Sequence, residues 1–166
     1  AKYPAIDVHS HDNKNTDVDK LVSLMNETGI EKRIILSYAT GSRFDSIVAK
    51  YARHKDRFEI WCGFDYTGYD KPGWEKHAVE ELERCHKKGA RGVGELGPVA
   101  GWGLHKDDPR MKTLFEKGAD LKTPVNVHVA EDEWMYLPAD STNDGLMNSA
   151  KWKIKKKKNG ILDHDQ

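Results

Sequence analysis

Short apolar runs alternate along the chain with longer stretches in which apolar residues recur at helical spacing. Runs rich in β-branched and aromatic residues predict strands at Ala5–His11, Arg33–Ala39, Phe58–Tyr66, Arg91–Gly97 and Pro124–Ala130. Between them, spacings of i, i+3, i+4 and i+7 predict helices, for example at Val18, Leu21, Val22 and Met25. Gly29 is placed to end that first helix, while Asp108 and Pro109 are predicted to begin the last one. The chain is therefore predicted to repeat a strand–helix unit.

The polar positions on these strands favour a barrel over an open sheet. Strands joined by helices lie parallel, either in a doubly wound sheet or in a closed barrel. On the fourth strand Val93 and Glu95 share a face, and on the fifth strand Asn126 and His128 do. The opposite faces are apolar, whereas an open sheet covered by helices is apolar on both faces. The predicted fold class is α/β, a parallel (β/α)8 barrel.

The length of the chain limits how much of such a barrel it can hold. A complete barrel needs roughly 250 residues, and this chain has 166. Five predicted units end near residue 130, and the remaining tail is too short for three more. We expect a single domain over residues 1–166 that contains about five βα units, and we interpret the chain as a fragment of a longer barrel.

The composition of the chain argues against some classes of binding partner. Lys+Arg and Asp+Glu number 27 each, so the formal net charge is zero, which argues against binding to nucleic acid or to an anionic membrane surface. Apolar runs are too short to span a membrane, and no signal peptide is visible. Cys62 and Cys85 form no CxxC pair and are interpreted as buried free thiols in a reducing cytoplasm. A cytoplasmic protein with a small-molecule substrate is expected.

His9 and His11 form the most informative pair in the sequence. Two strand steps separate them by roughly 6–7 Å, from where both imidazoles can reach one divalent metal. The spacing alone leaves open a structural pair. Glu95 and His128 end the fourth and fifth strands, and strand ends of this kind converge at the mouth of a barrel. Imidazole and carboxylate together suit zinc best, with manganese and iron as alternatives.

Three segments resemble strand motifs of the amidohydrolase superfamily, and most closely its amidohydrolase-2 branch of metal-dependent TIM-barrel hydrolases and decarboxylases. They are Ile6–His11, Gly94–Gly97 and Val125–Glu131, matching strands one, four and five. The resemblance covers about five-eighths of the fold. It implies that His9, His11 and His128 bind metal, and that Glu95 is a ligand as in some branches.

The same resemblance implies that part of the catalytic apparatus lies elsewhere. The family also uses a His on strand six and an Asp at the end of strand eight, where the Asp accepts a proton from the attacking water. The five strands of this chain include neither position. The general base is therefore expected outside this chain, and the chain alone is expected to be catalytically incompetent.

Two later segments carry weaker predictions. The long loop after the fifth strand holds aromatic, amide and carboxylate groups that suit a polar ligand with a flat face; the candidate substrate contacts are Trp134, Tyr136, Asn143 and Asp144. The alternative is a loop that packs on itself. The lysine-rich run Lys151–Lys158 is interpreted as a solvated face rather than a phosphate-binding patch.

The main functional hypothesis is a metal-dependent hydrolase whose activated water attacks a C–O, C–N or P–O bond. A decarboxylase of an unsaturated or aromatic acid on the same scaffold is the first alternative. A TatD-like nuclease is the second, although neutral charge disfavours it. The last is a non-catalytic, metal-binding half-barrel. Because a half-barrel leaves two strand edges open, association through those edges or with a missing C-terminal half is expected.

Overall fold

The computed structural model describes residues 3–96, 104, 106–128 and 142. Contacts within the chain define two compact units, Ala1–His128 and Val129–Gln166. All the helices and strands given below belong to the first unit. The expectation of a single domain over 1–166 stays a prediction.

Strands and helices alternate through this first unit. The strands are β1 (Ala5–Ser10), β2 (Ile30–Leu36), β3 (Phe58–Trp61), β4 (Val93–Leu96) and β5 (Val125–Val127). The helices are α1 (Val18–Thr28), α2 (Gly41–Tyr51), α3 (Trp74–Lys87) and α4 (Met111–Asp120), with a short 3₁₀ turn at Ala52–His54. No helix among the described residues is long and apolar enough to cross a membrane.

The strands lie side by side in chain order, and every pair is parallel. β1, β2 and β3 form one sheet, and β4 pairs with β5. The two groups join where β3 ends, because Cys62 bridges to Val93 and its amide donates to the Gly92 carbonyl at 3.0 Å. A doubly wound sheet reverses direction at a switch point, whereas a barrel keeps the chain order. The strand order is therefore that of a barrel.

The ends of the helices follow local capping rules in some places and tertiary contacts in others. The Asp17 side chain caps α1 by accepting from the Lys20 amide, and Gly29 ends that helix with a φ of 74°. The helix predicted to begin at Asp108 begins instead at Met111. The Asp108 carboxylate accepts from the amide and guanidinium of Arg110, which holds residues 108–110 in a turn ahead of the helix.

The core lies between the sheet and the helices. Its largest fully buried side chains include Phe44, Tyr51 and Leu82. Cys62 and Cys85 are buried free cysteines, as predicted. Interaction with the Cys62 thiol, together with burial, raises the pKa of the Cys85 thiol, whose S–H donates to Glu81 Oε1 at 3.1 Å. The Cys85 thiol is therefore a neutral member of the core.

The first strand departs from the alternation that the sequence predicts. Asp7 pairs with Arg33 and Ser10 with Ile35, so three steps on β1 match two on β2, a bulge that shifts the alternation of side chains. Ile6 and Val8 are 58% and 62% exposed, although the apolar face of a barrel strand ordinarily packs against helices. Among the described strands, β1 pairs with β2 alone, and this explains the exposure.

Candidate metal centre

His9, His11 and Glu95 meet at the C-terminal ends of β1 and β4. Nε2 of His9 lies 3.4 Å from Glu95 Oε2, and Nε2 of His11 lies 3.6 Å from the same oxygen. Each of the three residues offers one nitrogen or oxygen atom as a possible metal ligand, and these three atoms lie within 4.8 Å of one another. Curvature of the sheet brings β1 and β4 together here, although two strands separate them.

A backbone carbonyl fixes which nitrogen of His11 faces the cluster. Nδ1 of His11 lies 3.0 Å from the Leu36 carbonyl oxygen at the end of β2. Since a carbonyl only accepts, Nδ1 carries the hydrogen and Nε2 keeps its lone pair. Metal-binding imidazoles are commonly oriented by a hydrogen bond of this kind at the other ring nitrogen. His11 is therefore prepared to present Nε2 as a ligand.

Glu95 is the centre of the cluster and is only 6% exposed. Its Oε2 accepts a hydrogen bond from the Tyr38 hydroxyl at 2.8 Å, and its Oε1 lies 2.7 Å from Nδ1 of His128. Burial acts to raise the pKa of the Glu95 carboxyl, but the hydrogen bonds from Tyr38 and His128 and the nearby imidazoles hold it below its usual value. Glu95 is consequently a carboxylate at neutral pH.

His128 follows β5 and meets the cluster through Glu95. Because an ionised carboxylate only accepts, Nδ1 of His128 donates to Glu95, which leaves Nε2 as the one nitrogen of His128 that could bind a metal. The structure thus brings the three predicted histidine ligands to the carboxylate of the fourth predicted ligand, Glu95. Three of them offer atoms within the 4.8 Å cluster, and the ligand role of His128 stays a prediction.

Asp7 lies apart from the imidazoles. Its carboxylate accepts from the Ser10 hydroxyl at 2.7 Å and from the guanidinium of Arg33 at 2.7 and 2.8 Å. Burial acts to raise the pKa of Asp7, but these bonds and the His9 amide outweigh it and hold the pKa below its ordinary value. Asp7 therefore fixes the bulged end of β1 that carries His9.

Two residues at the site were not identified from the sequence, namely Tyr38 and Lys106. Tyr38 follows β2, and a residue just past the C-terminal end of a barrel strand is in the position where active-site groups collect; that signal was available. Lys106 lies in the loop after β4 and donates to the His128 carbonyl at 2.9 Å. Both line a recess beside Glu95, whose walls include Phe64, Tyr66, Leu96 and Leu104.

The predicted substrate contacts are outside the described part of the chain. They are Trp134, Tyr136, Asn143 and Asp144, and the run Lys151–Lys158 is outside it as well. The described residues nevertheless fit a divalent metal. Two imidazole nitrogens and a carboxylate oxygen form a donor set used for zinc, manganese and iron.

Comparison with solved structures shows which known fold the chain shares. No protein-family model and no curated protein matches the chain. The 2,6-dihydroxybenzoate decarboxylase from Rhizobium superposes with a TM-score of 0.60 at 17% identity, over 90% of this chain and 55% of that one. A structure of 2,6-dihydroxybenzoate decarboxylase with 2,6-dihydroxybenzoate gives 0.61 at 16% identity, over 90% and 56% of the two chains.

The chain shares the fold of these enzymes. A third match is 5-carboxyvanillate decarboxylase from Novosphingobium aromaticivorans with bound manganese, at a TM-score of 0.52 and 17% identity, over 79% of this chain and 38% of that one. These decarboxylases are TIM-barrel enzymes of the amidohydrolase-2 group. The predicted resemblance and fold class are thereby confirmed at the level of the fold. The chain spans about 55% of the length of the Rhizobium enzyme.

Proposed function

We propose that this chain provides the metal-binding part of a decarboxylase that acts on a flat, unsaturated or aromatic acid. The observation that carries the proposal is the meeting of His9, His11 and Glu95 beside a recess with aromatic walls. The fold shared with two kinds of aromatic-acid decarboxylase supports this reaction over the hydrolysis that we first expected.

Nε2 of His9, Nε2 of His11 and Oε2 of Glu95 would hold the metal, with His128 as a further candidate. When bound, a divalent metal supplies positive charge that orients the oxygens of an acid and stabilises the negative charge left when carbon dioxide departs. Zinc, manganese and iron all suit these donors. Manganese gains support from the bound ion of the 5-carboxyvanillate decarboxylase.

The side chains that line the recess suit the chemistry of an aromatic acid. Tyr38, Phe64 and Tyr66 supply aromatic surface beside Glu95, and apolar pockets with few polar groups favour flat ligands. The Lys106 ammonium has three N–H donors and gives one to the His128 carbonyl. A further donor would bind an anionic oxygen of the acid. We assign none of the described residues to protonation of the carbon that loses carbon dioxide.

A matched pair of probes tests whether the site recognises the acid group that a decarboxylase requires. 2,6-Dihydroxybenzoate and its methyl ester share a ring and differ in the group that reacts. We expect the manganese-loaded chain to bind the acid at least tenfold more tightly than the ester by isothermal titration calorimetry, because only the acid is anionic. The His9→Ala, His11→Ala double variant should lose both metal and acid binding. Hydrolysis of the ester, without preferential binding of the acid, would favour the hydrolase.

We also propose that the chain associates through the strand edges that have no partner among the described residues. Ile6 and Val8 on β1 and Val127 on β5 are exposed apolar residues, and such edges invite pairing with another strand. Sedimentation velocity should show concentration-dependent association, which replacement of Ile6 and Val8 by Lys should weaken. A strictly monomeric wild-type chain would contradict this proposal. The cytoplasmic location and the small-molecule partner also stay proposals.

A further inference from the structure

Tyr38 contacts two of the three groups proposed to hold the metal. Its hydroxyl donates to Glu95 Oε2 at 2.8 Å. Its ring stacks on the imidazole of His11, with ring centroids 5.2 Å apart and an angle of 14° between the planes. A single side chain that follows β2 therefore touches a ligand candidate beyond β1 and another on β4.

The backbone of Tyr38 is in a conformation that bulky residues rarely adopt. Its φ is 55°, in the left-handed region, which is unfavourable for a residue with a large side chain. Neighbouring strands hold it there, since its amide donates to the Gly94 carbonyl at 3.3 Å. A Cβ at position 63 would collide with the Tyr38 carbonyl, so Gly63 is needed for this close approach. Such strain persists where the surroundings impose it, and it concentrates at functional sites.

The hydrogen bonds to Glu95 leave its ligand oxygen usable. A carboxylate oxygen has two lone pairs, and the Tyr38 hydroxyl takes one of those on Oε2. The other can face His9 and His11, whose Nε2 atoms lie 3.4 and 3.6 Å away. Oε1 is occupied by Nδ1 of His128. With a donor on each oxygen, the carboxylate cannot rotate without losing a hydrogen bond in a buried place.

We propose that Tyr38 is a positioning residue of the metal centre. Its hydroxyl fixes the rotation of the Glu95 carboxylate, and its ring fixes the plane of the His11 imidazole, so that both ligands face the same point before metal arrives. The left-handed backbone places the side chain where it reaches both His11, beyond β1, and Glu95, on β4. This inference rests on the proposed metal site and adds a residue to it.

The test compares Tyr38→Phe with Tyr69→Phe in the full chain. Tyr38→Phe keeps the ring and removes the hydroxyl at Glu95, whereas Tyr69→Phe removes a hydroxyl from a residue outside the cluster and the recess. We expect Tyr38→Phe to raise the Kd for Mn²⁺ and Zn²⁺ about tenfold or more, as loss of a group that orients a ligand commonly does. The visible absorption of the Co²⁺-loaded protein should also change, because its intensity reports the geometry of the ligands. Tyr69→Phe should leave both unchanged.

The possible outcomes test the role of Tyr38 separately from the existence of the metal site. If the wild-type chain binds metal and Tyr38→Phe binds it within twofold, with the same Co²⁺ spectrum, the role of Tyr38 is overturned while the metal site stands. An equal loss of affinity in Tyr69→Phe would also overturn it, since the effect would then not depend on Glu95. A wild-type chain that binds none of these metals overturns the proposed function, and this inference with it. Near-ultraviolet circular dichroism confirms that each variant is folded before titration.

Discussion

Glu95 and Glu81 are both shielded carboxylates, yet they have different kinds of partner. Glu95 is 6% exposed and Glu81 is 13% exposed. Glu81 on α3 makes a bidentate ion pair with Arg84 and accepts from the Gly41 amide at 2.7 Å. The partners of Glu95 are a hydroxyl and three imidazoles. A permanent cation balances the first carboxylate, whereas the second is surrounded by groups that also bind metals.

The contrast shows how a structural carboxylate can be told from a functional one. Thr40 precedes α2 without making a side-chain cap, and Glu81 supplies the missing acceptor from a neighbouring helix. Arg84 also bonds the Gly41 carbonyl and Asp45, so this network ties α2 to α3. Removal of Glu81 should therefore affect folding, and removal of Glu95 should affect metal binding.

The largest effect is expected for Glu95→Gln. Loss of a negative ligand oxygen should weaken Mn²⁺ binding by on the order of 100-fold, while stability falls only modestly, because the amide keeps one acceptor oxygen where the carboxylate has two. Calorimetric titration with Mn²⁺ and urea unfolding measure the two effects on the same sample. A variant that binds Mn²⁺ normally but unfolds more easily would show that Glu95 is as structural as Glu81.

A smaller and opposite pattern is expected for Glu81→Gln. Loss of the ion pair with Arg84 should lower the free energy of unfolding by about 1–3 kcal/mol, because the guanidinium loses its bidentate carboxylate partner and keeps the single bond to the Asp45 carboxylate. The affinity for Mn²⁺ should stay within twofold of the wild type, since Glu81 lies on the helix layer. Asp45→Asn is a milder control, because it removes one negative charge opposite Arg84 and leaves the pair with Glu81 intact. If Glu81→Gln also bound Mn²⁺ more weakly, the distinction between a structural Glu81 and a metal-binding Glu95 would be wrong.

The smallest effect concerns acid stability. The hydrogen bond from Arg84 lowers the pKa of Glu81 to about 2, from an ordinary 4.5. Because the unfolded chain takes up a proton first, this contribution is complete above pH 4.5 and is lost as the pH falls toward 2. Urea midpoints measured from pH 7 to pH 3 should therefore fall less steeply in Glu81→Gln than in the wild type. Identical slopes would mean that the pair contributes nothing to acid sensitivity.

The sequence predicted the parts of the site that depend on strand periodicity. The spacing of His9 and His11, together with strand-end positions for Glu95 and His128, was enough to place them near one another once the strands were assumed to form a barrel. The capping residue Gly29 was predicted for the same reason, because it follows a regular apolar stripe. These features depend on local pattern and on the general geometry of parallel strands.

Features that depend on tertiary contacts could not be predicted in the same way. The bulge in β1 has no signature in Ala5–Ser10, and it appears only when the strand pairs with β2. The left-handed backbone of Tyr38 depends on Gly63, which follows β3, and on Gly94 in β4. α4 begins later than predicted because the amide and guanidinium of Arg110 bind the Asp108 carboxylate ahead of the helix. In each case a partner distant in space or an ion pair decides among several local options.

The chain-order arrangement of the strands has a consequence for folding. Each of the first three strands pairs with its neighbour in the sequence. β1, β2 and β3 can therefore assemble through contacts that are close in sequence, and such contacts favour rapid formation of this sheet. The metal cluster, in contrast, joins β1 to β4 across more than 80 residues. The capacity to bind metal should consequently appear late, after the first three strands have formed. Metal capture measured during refolding would then report the moment at which the sheet curves enough to bring its distant strands together.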